Sequence, residues 1–362
     1  MRKFFASHAL LKKGLLWVSI FSLVFVLCGG LMRFFQPTSS THAQAITTNL
    51  HPVFDGTTPD PGTTPTVIPT TTPGMTPTVA PSVTPGTTPT ATPTPSALPR
   101  FDHIVIVVEE NKDYSQIIGP NTPAPYINAL AAQGMLFTNS HALAHPSQPN
   151  YLDLFSGSDQ GVLGDACSAA TVYPAPDLGG QLIAANFGFA GYSEGLTTAG
   201  ATACTNAATH YARKHNPWAN FSDTNGPTTN LPYTSFPTSS ASYSALPTVS
   251  FVIPNLLNDM HDGPTNTAIQ QGDTWLQQNM DAYAQWAKTN NSLLIVTWDE
   301  NDVQNGDPSN QIPTIFVGQH VQVGTNNTSI SHYDMLRTLE DMYGLAPANN
   351  AASAADILGV WN

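Results

Sequence analysis

Four apolar runs set the frame of the chain: "HIVIVV" (103–108), "VSFVIP" (249–254), "LLIVTW" (293–298) and "IPTIFV" (312–317). Each is short, continuous and rich in β-branched residues, the pattern of a strand buried on both faces. Helical spacing occupies the intervals. "PYINALAAQG" closes on Gly134, and longer amphipathic stretches cover 272–291 and 332–344. Strands alternating with helices predict an α/β domain, a mostly parallel central sheet with helices on both faces. In such a sheet the ligand site forms beyond the carboxyl ends of the strands.

The residues at the end of each run therefore carry information. "HIVIVV" leads into Glu109, Glu110 and Asn111; "VSFVIP" into Asn255, Asp259, His261 and Asp262; "LLIVTW" into Asp299, Glu300 and Asp302. One acidic strand end is ordinarily a solvated turn. Three in one sheet point to a metal site, and carboxylates with an amide oxygen form a hard donor set suited to Ca²⁺, Mg²⁺ or Mn²⁺, with Zn²⁺ also tolerating carboxylates.

The stretch "LAHPSQPNYLDLFSGS" (143–158) adds a hydroxyl. Pro149 is favoured in a first helical turn, which puts Ser147 at a helix N-terminus, in the positive end of the helix dipole. Serine there is either a cap or a nucleophile facing an anion. "HYARKHNPW" (210–218) brings Arg213, Lys214 and His215 together. In isolation it is an ordinary solvated turn; beside a phosphate site it is a clamp with a proton donor.

Outside this region the pattern changes. Arg2, Lys3, Lys12 and Lys13 precede 19 uncharged residues from Gly14 to Met32, long enough to span a bilayer, and the basic flank keeps the N-terminus inside. Residues 1–45 are a signal peptide or a signal anchor, "AQA" at 43–45 resembling a cleavage site. From Thr57 proline recurs every fourth position, Pro61 to Pro93, among threonines. Residues 46–99 are expected as a disordered, extended stalk, about 40 residues of which reach on the order of 120 Å. The catalytic domain is expected over 100–362, secreted or displayed at the cell surface. Cys167 and Cys204, an even pair in an exported domain, predict one disulfide.

The net charge is −13, and from residue 100 onward six lysines and arginines face 22 acidic residues. Such a surface argues against nucleic acid or anionic membrane as a main partner, leaving the membrane to the N-terminal segment. It also makes Arg213 and Lys214 a third of the domain's cations.

At "VVEENKDY", "HPSQPNYLDLFSGS", "ARKHNPW", "IPNLLNDMHDG", "TWDEND" and "SHYDMLRTLEDMYG" the chain resembles the bacterial acid phosphatase and phospholipase C-type phosphoesterase family of the alkaline-phosphatase-like superfamily. The resemblance spans nearly all of 103–344 and none of the targeting segment or stalk. It implies a metal held by Glu110, Asn111, Asp299 and Glu300, approached by Ser147, which accepts the phosphoryl group. His215 and His261 are implied to contact phosphoryl oxygens or protonate the leaving group. Asn150 resembles an asparagine that steadies a phosphoryl oxygen; Asp259 and His332 fall in the same motifs and are expected to bind substrate, His332 being otherwise a structural helix-cap histidine. Zinc enzymes of the superfamily usually carry Asp-His where this chain has Asp299-Glu300, so one divalent ion is expected. The implied activity is an acid phosphatase acting through phosphoserine on phosphate esters. The alternatives are a phospholipase C or other phosphodiesterase, and a stalked binding protein on the same fold.

Overall fold

The computed structural model describes residues 98–362 apart from 168–171 and 175, so the expected targeting segment and nearly all of the stalk lie outside the described residues. Leu98, the first described residue, is buried in the core. Among the described residues no helix is long and apolar enough to cross a membrane.

The strands are β1 (His103–Glu109), β2 (Met135–His141), β3 (Phe189–Ser193), β4 (Thr205–Asn206), β5 (Tyr211–Ala212), β6 (Asn230–Pro232), β7 (Val249–Ile253), β8 (Ser292–Trp298), β9 (Gln311–Gly318), β10 (Gly324–Asn326) and β11 (Ile330–Ser331). The α-helices are α1 (Tyr114–Ile117), α2 (Pro125–Ala131), α3 (Ser147–Ser156), α4 (Leu178–Ala184), α5 (Thr265–Ala287) and α6 (His332–Met342). Nine strands form one sheet in the order β10-β2-β9-β8-β1-β7-β3-β6, with β11 also on β2; β4 and β5 form a separate ribbon. All neighbours are parallel except β9, which runs antiparallel to both β2 and β8. The sheet is thus mostly parallel, as expected. β8 is parallel to β1, and β2, antiparallel to β9 as β8 is, runs the same way, so the exits of β1, β2 and β8 share one edge.

Strand alternation divides the core. Ile104, Ile106 and Val108 face one side with residues of α3, α4 and α6, while Val105 and Val107 face the other with α2 and α5. Period-two alternation inside an all-apolar run is what lets β1 bury both faces. The helix expected over 272–291 begins earlier, at Thr265 after Pro264, and ends at Ala287. Cys167 and Cys204 form the expected disulfide, with a sequence separation of 37. A closed loop of that length is worth about 2–4 kcal/mol.

Buried acids give the domain a pH dependence. Asp153 on α3 accepts a hydrogen bond from Tyr333 Oη at 2.8 Å, and Glu340 on α6 accepts one from the Ala348 N–H at 2.8 Å. Burial still raises both carboxyls to about 7. Between the unfolded carboxyl value near 4 and about 7 the native state binds more protons than the unfolded one, so stability falls as pH rises through that window. We expect a higher melting temperature at pH 5 than at pH 7.5, and a flatter profile in Asp153→Asn/Glu340→Gln. A wild-type melting temperature that climbs across the window would refute this account.

Candidate active site

The exits of β1 and β8 supply the acids. The backbone turns sharply after Glu110: Asn111 has φ +44°, a left-handed conformation that asparagine tolerates better than most residues. That turn directs the Asn111 N–H to Asp299 Oδ1 at 3.2 Å and its Nδ2 to Glu300 Oε1 at 3.1 Å. Strand β2 delivers residues 142–146 to the same edge, and α3 starts there. Ser147 is the first helical residue rather than the cap, which is Pro146. Its hydroxyl therefore makes no capping bond and faces the acids: Glu110 Oε2 at 3.0 Å, Glu300 Oε1 at 3.1 Å and Asn111 Oδ1 at 3.5 Å.

A hydroxyl carries one proton, so it satisfies one of these three acceptors. Asp299 Oδ2 is buried and has no hydrogen-bond partner. Burial, then Asp299 and Asp259, raises the Glu110 carboxyl well above the ordinary range; burial raises Asp299 to about 7, and burial then Asp299 raises Glu300 to about 9. Buried oxygens without compensating charge are a costly arrangement that a cation relieves. The residues present fit a divalent metal ion.

The histidines add a second cluster. His215 is buried, its Nδ1 3.3 Å from Asp259 Oδ2 and its Nε2 3.0 Å from Glu110 Oε1 without hydrogen-bond alignment. Tyr151 stacks on it, ring centroids 5.1 Å apart, and donates its hydroxyl to Glu110 Oε1. Burial first, then Lys214, holds His215 well below its usual value, so the ring is neutral and donates to one carboxylate at most. Ligand atoms of Glu110, His215 and His261 lie within 4.8 Å of one another, a group that could itself hold a metal ion. His261 is partly exposed, with Nδ1 2.8 Å from Asp262 Oδ1 and Nε2 3.4 Å from Lys214 Nζ.

The two cations part company. Lys214 Nζ points inward, to Asp165 Oδ2 at 2.7 Å and to His261. Burial disfavours its ammonium, but Glu110, Asp165 and Asp299 outweigh that and its pKa is raised. Arg213 turns the other way, donating to Cys167 Sγ and the Thr202 carbonyl, each at 2.8 Å. The arginine belongs to the disulfide region; a paired clamp on one anion is not the arrangement found. Asn150 likewise stands behind the site: Oδ1 accepts from the Leu143 and Ala144 N–H groups and Nδ2 donates to the Ala144 carbonyl. It shapes the chain entering α3. His332, the first residue of α6, is buried with Nε2 2.8 Å from the Asp299 carbonyl, and burial lowers it to about 4, so it acts as a neutral donor bracing that strand end.

Two residues at the site were not singled out in the sequence, although His145 opens the motif that carries Ser147. His145 contacts Glu300 through Nδ1, and Asp165 holds Lys214. Their partners are 155 and 49 positions away.

A buried hydroxyl among carboxylates at the exits of a mostly parallel α/β sheet suits phosphoric ester chemistry, and comparison with known proteins shows the class, a hydrolase acting on phosphoric ester bonds. The sequence matches the Phosphoesterase family over residues 120–346. A phosphatidylinositol-3-phosphatase of Mycobacterium tuberculosis is 50% identical over 266 residues, covering 74% of this chain and 85% of that protein. The phosphate-repressible acid phosphatase of Penicillium chrysogenum is 27% identical over 274 residues, 71% of this chain but only 63% of the fungal protein. A solved structure in the alkaline phosphatase superfamily from Vibrio parahaemolyticus aligns over 70% of both chains with a TM-score of 0.50 and 12% identity, a likeness of fold. The chain belongs to the phosphoesterase family.

Proposed function

We propose that the protein is an exported, metal-dependent phosphomonoesterase of the acid phosphatase type that works through a phosphoserine on Ser147. The observation that carries this reading is the buried Ser147 hydroxyl at the start of α3, held among Glu110, Asn111 and Glu300. Export rests on the basic-apolar N-terminal sequence and agrees with the disulfide.

Glu110, Asn111, Asp299 and Glu300 would hold the divalent ion together with the Ser147 hydroxyl. Once bound, it supplies positive charge that lowers the hydroxyl pKa and offsets charge on the phosphoryl oxygens. Ser147 Oγ attacks phosphorus and passes its proton to a neighbouring carboxylate, Glu110 or Glu300. The bond from phosphorus to the alcohol breaks, with Lys214 balancing charge on the phosphoryl group. His261, the more accessible histidine, protonates the departing oxygen, while Tyr151 donates to Glu110 and neutral His215 packs beside it. Water then attacks the phosphoserine, and the reverse proton path restores the serine.

A monoester substrate is favoured by the relatives, since a phosphatidylinositol-3-phosphatase and acid phosphatases cleave phosphomonoesters. The segments 197–218 and 301–311 are mostly small and polar, which suits a small phosphate ester. The test is kcat/KM for p-nitrophenyl phosphate, bis-p-nitrophenyl phosphate and a phosphatidylcholine dispersion at one pH and metal content. We expect the monoester to lead by at least tenfold, or about 1.4 kcal/mol. Faster turnover of the diester or the lipid would replace this reading with the phosphodiesterase one.

A further inference from the structure

Asp165 lies in the segment between α3 and the disulfide, outside every motif that carries the family resemblance. Its two carboxylate oxygens have separate tasks. Oδ2 accepts from Lys214 Nζ at 2.7 Å, and Oδ1 accepts from the Gln148 N–H at 3.0 Å. The first tie fixes Lys214, whose ammonium is drawn toward Glu110 and Asp299. The second satisfies a first-turn N–H of α3, one residue beyond Ser147, which no intrahelical carbonyl can reach. Two residues further on, Cys167 is bonded to Cys204, and Arg213 binds Cys167 Sγ while its own N–H donates to the Cys204 carbonyl at 2.8 Å. Asp165 is therefore tethered to the residue that precedes Lys214 as well as to Lys214 itself.

We propose that Asp165 is a positioning residue, which holds the Lys214 ammonium at the edge of the site and registers it against the helix carrying Ser147. It rests on the reading of Ser147 as nucleophile and Lys214 as the phosphate-binding cation. Lysine has a long, flexible stem, and Glu110 and Asp299 attract its ammonium. Without a counter-anchor the ammonium falls toward those carboxylates and leaves the place where a phosphoryl oxygen needs it. A single carboxylate pulling from the opposite side keeps it there. The Oδ1 bond makes the same anchor move with α3, so cation and nucleophile keep one spacing.

The test is a double-mutant cycle on the full-length enzyme with Asp165→Asn and Lys214→Met. Asparagine can keep the Gln148 bond while losing the ionic tie to lysine. Measured are kcat/KM for p-nitrophenyl phosphate, Ki for inorganic phosphate, and the melting temperature. We expect Asp165→Asn alone to lower kcat/KM tenfold or more and to raise Ki for phosphate in parallel. In the Lys214→Met background the same change should cost less than twofold, because its effect passes through the lysine. Asp165→Glu, which keeps the charge, should recover part of the loss; should the asparagine variant not fold, Asp165→Glu carries the test through a smaller rise in Ki that also vanishes in the Lys214→Met background. A purely structural role would lower the melting temperature and leave Ki unmoved, which overturns the proposal. Independent, multiplying effects of the two substitutions overturn it too. If Lys214→Met itself leaves kcat/KM and Ki unchanged, the reading of the lysine fails, and that of Asp165 with it.

Discussion

Ser147→Ala is expected to abolish turnover, lowering kcat by about 10⁴-fold or more, with the fold preserved. Among the described residues the hydroxyl is the group at the carboxylate cluster placed to attack phosphorus from a helix N-terminus, and no described neighbouring side chain can take its place. Tyr151 Oη is committed to Glu110, and its pKa is driven well above its usual value by burial and then by Glu110. The structural cost is small. Alanine is a strong helix former, α3 is not capped by Ser147, and one lost hydroxyl hydrogen bond is worth about 1 kcal/mol. The variant should therefore melt within a few degrees of wild type and still bind inorganic phosphate through Lys214. In the wild-type enzyme, acid quenching during turnover should trap phosphate on the Ser147 peptide. Near-normal activity in Ser147→Ala, or phosphate trapped on a histidine, would overturn the mechanism.

The sheet and its acidic edge were legible because they rest on local pattern. A six-residue apolar run followed by Glu-Glu-Asn or Asp-Glu announces both a buried strand and the groups it presents. Strand β3 was not legible. "FAGYS" alternates poorly, and its Gly191 exists for packing: a Cβ there would stand 2.0 Å from the Trp218 ring. The direction of β9 is equally invisible, since an apolar run reads the same either way. Helix α5 starts at "TNTAIQQ", whose first three residues are polar and exposed and so do not mark the start by an apolar position. At the site, Arg213 and Lys214 are adjacent cations in the sequence, and only the fold sends one to the disulfide and the other to the acids. Asn150 shows the same limit. An asparagine three residues from a nucleophile suits a phosphoryl contact, yet its amide fits the Leu143–Ala144 backbone. Contacts such as His145 with Glu300 arise from the meeting of distant strand ends and leave no mark on local spacing.

The metal has the second large expected effect, and its sign reverses with loading. Asp299→Asn keeps the shape of the side chain and the acceptor for the Asn111 N–H but removes one of the charges that would bind the ion. Bound metal, assayed by elemental analysis of the purified protein, should fall below a tenth of the wild-type content. Phosphatase activity should drop by about 10³-fold, the scale expected when an essential electrostatic stabiliser is lost. Stability separates this from general damage. In wild type a ligand at 100 times its Kd adds about 2.7 kcal/mol, so chelation should lower the melting temperature by several degrees. Stripped of metal, wild type keeps Asp299 beside Glu110 and Glu300 in a buried cluster, where burial has already raised Asp299 to about 7. Ionising that carboxyl at pH 8 opposes folding, and asparagine removes the charge. Chelated Asp299→Asn should therefore melt above chelated wild type at pH 8, while metal-loaded wild type melts above both. If the variant keeps its metal and activity, or if chelation leaves wild-type stability unchanged, the oxygen cluster at the exits of β1 and β8 is not the metal site.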